Sequence, residues 1–407
     1  MEPRQVFDLM SPEAMRDPHP ILHRMRREDP VHWAEALHVW ILTRYEDVTS
    51  ALRDPRLSAQ RADMVALQGR PGGDPAVMKD FVRVMRAMMM MKDGAEHTRL
   101  RRLGNRGFTT ATMDSLRPTI QRITDDLLDR VEPTGRMDII QDLSALLPST
   151  LIAEMFGVPE EDRPNLQQWS EDLMHFVSVS LGDVEAIARA ANEAIVQLER
   201  YFLGMLEERR KHPGNDLLSL FIGEQDEGRL SPEEICAQCI LVISAGHVTT
   251  IDQLGTTVFN LLTHPGELEK LRAAPELLSS AVEEALRYDC AIPFINRITA
   301  DDMEIGGKLI PRGQMLFLGI AAANRDPAVF TDPDRFDITR TENRHIAFIQ
   351  GPHMCLGAGL ARRELEIGLR TLLRRMPKLR LDPDNAPARR TENLAFRGFY
   401  RLPVLFS

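Results

Sequence analysis

The sequence predicts a mainly α fold with a few small sheets, and three observations carry that expectation. Helical periodicity dominates residues 116–286. Within that stretch, Ser231-Pro232-Glu233-Glu234 reads as a helix start. Ser231 can cap, Pro232 suits the first helical position, and Glu234 completes a capping box. The helix that follows is apolar nearly all round over residues 235–262, which places it inside the protein rather than on its surface. Extended pieces are short by comparison. Residues 31–43 alternate and include Trp33, Val39, Trp40 and Ile41. Residues 298–318 contain the turn signals Gly306-Gly307 and Pro311-Arg312-Gly313 and read as small hairpins. The stretch 394–406 is also strand-like.

The chain has 407 residues and a formal net charge of −10, which argues against general nucleic-acid binding because that needs a net basic face. Its first residues lack the charged and apolar regions of a signal peptide. No uncharged apolar run reaches membrane-spanning length, so the expectation is a soluble, cytoplasmic protein with no membrane partner. Cys236, Cys239, Cys290 and Cys355 are too few for a disulfide framework. Cys236 and Cys239 lie in the apolar helix without a second pair and read as core packing.

The segment Phe348-Ile349-Gln350-Gly351-Pro352-His353-Met354-Cys355-Leu356-Gly357 carries the chemistry. It is a Gly- and Pro-containing loop running into a helix over residues 358–376. Cys355 therefore sits at or just before a helix N-terminus, where unpaired backbone N–H groups favour a thiolate. Gly351 and Gly357 allow close backbone approach to a flat cofactor and to the sulfur. N–H groups aimed at that sulfur would tune a metal bound to it.

With Phe348, Gly351, His353, Cys355 and Gly357 in register, the chain resembles the soluble bacterial cytochrome P450 family. It departs at Ile349, where the family usually has Gly, so Ile349 must adopt a backbone shape that Gly normally supplies. The resemblance extends over essentially the whole chain, including Asn324-Arg325-Asp326-Pro327 and the closing Phe396-Arg397-Gly398. It implies one P450 catalytic domain over 1–407, with haem b as cofactor and Cys355 as the axial iron ligand, whose electron donation promotes O–O cleavage. It further implies that His97, Arg101, Arg297 and His353 hold the haem propionates. Phe348, Gly351 and Ala245 belong to the same cofactor set. Glu284 and Arg287 would form the family's buried pair, with Arg335 as its third member and a structural role.

In Ala245-Gly246-His247-Val248-Thr249-Thr250, the Ala-Gly pair would let oxygen and substrate approach the helix. The family places an acid before Thr at this point to relay protons; Thr249 matches the alcohol, but Val248 replaces the acid. Thr249 and Thr250 are thus the catalytic candidates, with His247 or Asp252 replacing the acid through water. A polar group from the substrate, a modified reaction, or ordinary hydroxylation with Val248 as packing are the other readings. Phe294, Ile295, Val248 and Met88 are the pocket candidates, within the broader stretches 64–91, 169–181, 291–295 and 394–396. Arg99, Arg102, Arg106, Arg362 and Arg363 offer a basic face for an acidic ferredoxin.

The resemblance implies a monooxygenase that hydroxylates a small apolar molecule, free or carrier-bound, in secondary metabolism. Electrons would come from a separate ferredoxin and ferredoxin reductase. Two other classes stand beside it: a haem-thiolate enzyme catalysing coupling, desaturation or rearrangement without oxygen insertion, and a non-catalytic haem sensor or binding protein.

Overall fold

The computed structural model describes residues 7–67, 75–177, 183–226, 230–392 and 394–407. Its axis is the helix Pro232–Thr263, about 48 Å long at 1.5 Å per residue. Ser231 Oγ accepts the Glu234 N–H at 3.2 Å, and Glu234 Oε2 accepts the Ser231 N–H at 3.0 Å, so the capping box is complete. Part of this helix is long and apolar enough to cross a membrane, yet most of that window is buried by the protein itself.

The central helix feeds two hydrophobic clusters. Ile235 to Ile243 pack into one with Phe81, Phe156, Phe176 and Phe202. Ile251 to Leu261 pack into the other with Leu147, Leu286, Leu365 and Leu369. Between them the helix carries Ser244 to Thr250, small or polar at most positions, and the packed core gives way to a cavity there. Cys236 and Cys239 lie in the first cluster, and burial raises both thiols, Cys236 to about 12.

The stretch 116–286 is not helical throughout. Arg136–Asp138 is a strand that pairs antiparallel with Pro403–Leu405, and a wide π-helical turn follows at Ile139–Ser144. Hydrophobic spacing does not show this because the strand is held by a distant partner rather than by local periodicity.

The largest sheet has five strands in the order Val31–Ala34, Val39–Leu42, Met315–Gly319, Phe294–Thr299, Leu57–Ser58. The second and third run parallel and the other neighbours antiparallel. Met303–Ile305 and Lys308–Ile310 form the hairpin closed by Gly306-Gly307, both glycines having positive φ.

Glu284, on the helix Leu278–Tyr288, is fully buried and gathers donors from four residues, among them Asn343, whose Nδ2 donates to Oε2 at 3.3 Å. Arg287 donates through Nε at 2.7 Å and Nη2 at 2.8 Å, Asp337 through its backbone N–H at 2.9 Å, and Arg340 through Nε at 3.1 Å. The third member of this cluster is therefore Arg340, not Arg335. The Arg335 side chain is 59% exposed and its nearest carboxylate is Asp337 at 3.6 Å; only its backbone carbonyl takes part, accepting from Arg287 at 3.0 Å. The chain turns at Asp332, which has positive φ, so Arg335 faces outward and Arg340 comes back.

Arg340→Ala should cost about 2 kcal/mol, the scale of charge-assisted hydrogen bonds lost to a buried carboxylate. Arg335→Ala should cost under about 0.5 kcal/mol, as surface substitutions do. Urea unfolding midpoints of the two variants check the assignment, and equal losses would contradict it.

Candidate functional site: a cavity around Cys355

The loop before the helix Ala358–Arg375 is closed by its own backbone. The Cys355 N–H donates to the Phe348 carbonyl at 3.0 Å, Met354 N–H to Gly351 at 3.1 Å, and Ile349 N–H to Ile346 at 2.8 Å. Ile349 has φ +52, a left-handed conformation that costs a β-branched residue about 1–2 kcal/mol. The substitution of Ile for Gly has thus kept the backbone shape that Gly favours. Gly351 has φ +81, and a Cβ there would lie 2.7 Å from the Leu52 carbonyl oxygen, so that backbone contact requires glycine. Gly357 has open space where a Cβ would be and borders the cavity.

Cys355 faces a cavity of about 240 Å³ and an adjoining one of about 140 Å³; Thr249, Thr250, Ile295, Phe348 and Ile349 border both. Burial pushes the Cys355 thiol up, while the backbone N–H groups of Gly357 and Ala358, with Arg101 and Arg362, pull it down without prevailing. The backbone N–H groups of Gly357 and Ala358 thus favour the thiolate, as the position before a helix predicts, and burial opposes them. A bound cation would add to the same side, since metal coordination deprotonates a thiol outright.

Cationic and imidazole groups gather at one side. His97, Arg101, Arg297, His353 and Arg61 all border the larger cavity. The His97 and His353 ring centroids lie 4.1 Å apart, with the rings tilted by 37°. Burial, then the neighbouring His353 and Arg101, lower His97 to about 4. Burial lowers Arg297 to about 10 and Arg61 to about 9, and the Arg61 Nε is buried without a hydrogen-bond partner. Asp93 accepts from Ser58 Oγ at 2.5 Å and from the Ala59 N–H at 3.0 Å, and its Oδ1 lies 3.7 Å from His353 Nε2. This donor set, with an orphaned guanidinium nitrogen, fits the two carboxylates of a haem edge, and Cys355 would supply a thiolate to its iron.

The structure sorts the expected residues. Ala245, Thr249 and Thr250 border the cavity, and Thr249 Oγ1 donates to the Ala245 carbonyl at 2.9 Å. Val248 is buried in packing and borders neither cavity beside Cys355. His247 opens instead on a separate cleft of about 610 Å³ beside Leu166, Ser170 and Ile152. Burial lowers it to about 4 despite its hydrogen bond to the Ala145 backbone. Asp252 is fully buried against Gly398, with Arg390 Nη1 at 3.6 Å, and burial raises it to about 7. Neither residue reaches the cavity beside Cys355 in place of an acid.

One of the four pocket candidates lines the cavities beside Cys355. Ile295 borders the cavity, whereas Phe294 packs against Phe317 on the other face of the sheet, as strand alternation requires. Met88 is buried beneath, and Met89 and Met90 line the cavity, because a tight 3₁₀ turn over Met89–Met91 changes the phase after the helix ends. Leu394 and Phe396 are buried but border neither cavity beside Cys355, and residues 68–74 and 178–181 of the expected pocket stretches lie outside those described. Sequence reasoning missed Arg61, Ile349 and Glu364 as lining residues. Gly357, Leu360, Ala361 and Glu364 share one helical face, and that spacing was the available signal for Glu364.

A haem-binding fold with a cysteine ligand is the class this geometry defines. The family model for cytochrome P450 matches residues 64–404, and the chain belongs to the cytochrome P450 family. It is 35% identical to the biotin biosynthesis cytochrome P450 of Bacillus subtilis, over 97% of this chain and 98% of that protein. It is 38% identical to the vitamin D(3) 25-hydroxylase of Pseudonocardia autotrophica, over 98% of this chain and 96% of that one. The solved structure of P450BioI with an acyl carrier protein bearing hexadec-9Z-enoic acid superposes with a TM-score of 0.90 at 35% identity, covering 97% of this chain and all of that one. The protein is a P450 monooxygenase with haem as its cofactor.

Glu283 ties the cysteine loop to the helix that carries Glu284. Arg362 donates to it at 2.6 and 2.9 Å and its guanidinium lies 4.6 Å from the Phe348 ring centroid, while His345 Nε2 is 2.9 Å from Glu283. Burial raises Glu283, but the hydrogen bonds from Arg362 and His345 outweigh it and hold the carboxyl at about 2. A folded value below the unfolded one stabilises the protein above the ordinary carboxylate range. That contribution is lost as pH falls from about 4.5 toward about 2. Glu283→Gln should flatten the pH dependence of the unfolding midpoint across this window, measured by urea titration at several pH values; an unchanged slope would refute the linkage.

Proposed function

We propose that the enzyme hydroxylates a mainly apolar small molecule of secondary metabolism, with electrons from a separate ferredoxin and its reductase, in the cytoplasm. The observation that carries this reading is the apolar wall of Met89, Met90, Leu241, Val242 and Ile295 beside Cys355 and Thr249. Met and Leu side chains repack around different shapes, which suits a carbon skeleton rather than a charged substrate. Support for a carrier-delivered substrate comes from the acyl-carrier complex of a structural relative.

Haem supplies oxygen activation when bound. The protein's part is to hold it through Cys355, to meet its propionates with His97, Arg101, Arg297 and His353, and to orient the substrate against Ile295 and the methionines. Thr249 is the hydroxyl that passes protons. Arg99, Arg362 and Arg363 of the expected ferredoxin face are held by Glu234, Glu283 and Asp114, so electrostatic steering by this face is weaker than its composition suggests.

Cys355→Ser should abolish the red-shifted Soret band of the ferrous CO complex, and a persistent band would exclude Cys355 as ligand. Ligands that shift the haem spin state identify the substrate class. With such a compound, labelled O2 must appear in the product. A second reading, oxidation without oxygen insertion, is favoured by Val248 in the acid position, and an unlabelled oxidised product would select it.

A further inference from the structure

Four helices enclose the cleft onto which His247 opens, and the reaction proposed above gives it no task. Ile123 and Leu127 come from the helix Arg117–Val131, Ile152 from Leu146–Met155, Leu166 and Ser170 from Arg163–Val177, and Ile243 and His247 from the central helix. The cleft measures about 610 Å³, within the range of small-molecule sites. Ile152 also borders the cavity beside Cys355 and packs on Gly246 so closely that no Cβ fits there. That side chain is a wall between two spaces, each with a lining of its own.

Buried polar groups find hydrogen-bond partners as a rule. Three in this cleft have none among the described residues. His247 is 2% exposed and its Nε2 is unpartnered; Ser170 is 1% exposed and its Oγ is unpartnered. Both mark the closed end, since the Arg122 and Asp126 side chains at the rim are 53% and 55% exposed. The third is Arg163 Nε, a donor on a side chain of intermediate exposure. The other ring nitrogen of His247 is committed to the Ala145 backbone, and burial lowers the imidazole to about 4. At neutral pH the ring is therefore neutral, with its hydrogen on Nδ1 toward the Ala145 carbonyl, and Nε2 is an acceptor. It calls for a donor from a ligand, while the Ser170 hydroxyl can accept or donate.

The rim selects against ions. Three guanidiniums and three carboxylates line the cleft, so neither sign prevails. Arg122 donates to both Glu154 oxygens, at 2.9 and 2.7 Å, and Arg163 Nη2 lies 3.7 Å from the same carboxylate. Beyond that rim an ion would meet isoleucine and leucine side chains and an uncharged imidazole, which do not repay its desolvation.

We propose that this cleft is a second small-molecule site, for a neutral, mainly apolar molecule that carries a hydroxyl group, with the hydroxyl donating to His247 Nε2 and Ser170 as a second polar contact.

Holoenzyme with phenylimidazole on the haem iron has its catalytic cavity blocked, so further binding reports on the cleft. Calorimetric titration of that complex with decanol should show saturable binding at one site. The methyl ether of decanol, which cannot donate, should bind about five-fold more weakly, the scale of one lost hydrogen bond. His247→Phe and Ser170→Ala should each weaken decanol binding by a similar factor. His247→Gln, whose side-chain oxygen still accepts, should keep it within about two-fold of wild type, at unchanged melting temperature. A crystal of the wild-type complex should hold the alcohol oxygen within hydrogen-bond distance of Nε2. Equal binding of alcohol and ether overturns the proposal, as does no binding to the blocked enzyme or ordered water alone at Nε2. Undiminished binding to His247→Phe also overturns it, by placing the alcohol elsewhere. These outcomes are independent of the monooxygenase reading, which labelled oxygen tests.

Discussion

The architecture of the site depends on one buried carboxylate, Glu284. It organises two guanidiniums and a backbone N–H at a point with no access to water. Arg287, fixed by it, spends its remaining donors on the carbonyls of Asn324, Pro333 and Arg335. The irregular segment approaching the cysteine loop is thereby hydrogen-bonded to a helix instead of to solvent. A buried ion pair is weak evidence for stability in general. Here its value is geometric, because one helix turn positions loop segments that have no secondary structure of their own.

The second organising feature is a gap in the packing. The central helix is surrounded by hydrophobic core along both halves and loses that core over about two turns, where Ala245, Gly246, Thr249 and Thr250 face open space. Small and hydroxylated side chains cannot fill the volume between this helix and the helix after Cys355. Rigid packing on both sides keeps the cavity from collapsing. The reactive face is thus a deliberate interruption of an otherwise continuous apolar helix.

Much of this was legible in the sequence, and the exceptions share a cause. The capped apolar helix, the hairpin glycines and the cysteine loop are local patterns, and local physics dictates them. The backbone shape at Ile349 was legible only through the family resemblance, because local propensity opposes a left-handed Ile. Arg340 was not distinguishable from Arg335, because both lie in aperiodic chain and only the tertiary turn at Asp332 decides which side chain returns. Of the adjacent candidates Phe294 and Ile295 the second lines the cavity, while Met88 was an error of phase, one residue short of Met89. The strand at Arg136–Asp138 has a partner more than two hundred residues away, which no local window can see.

The strand Phe294–Thr299 presents Ile295 and Arg297 on one face, two residues apart. The proposed substrate wall and the proposed cofactor clamp are therefore set by a single strand register. Within the lineage, substitution at 295 can retune the pocket freely, because it leaves Arg297 where it was. An insertion or deletion in the residues just before the strand has no such freedom. It would turn Ile295 and Arg297 away together and bring Phe294 and Asn296 round in their place. Diversification at this wall should therefore proceed by exchange of side chains at fixed length, with length variation confined to segments that carry only one of the two functions.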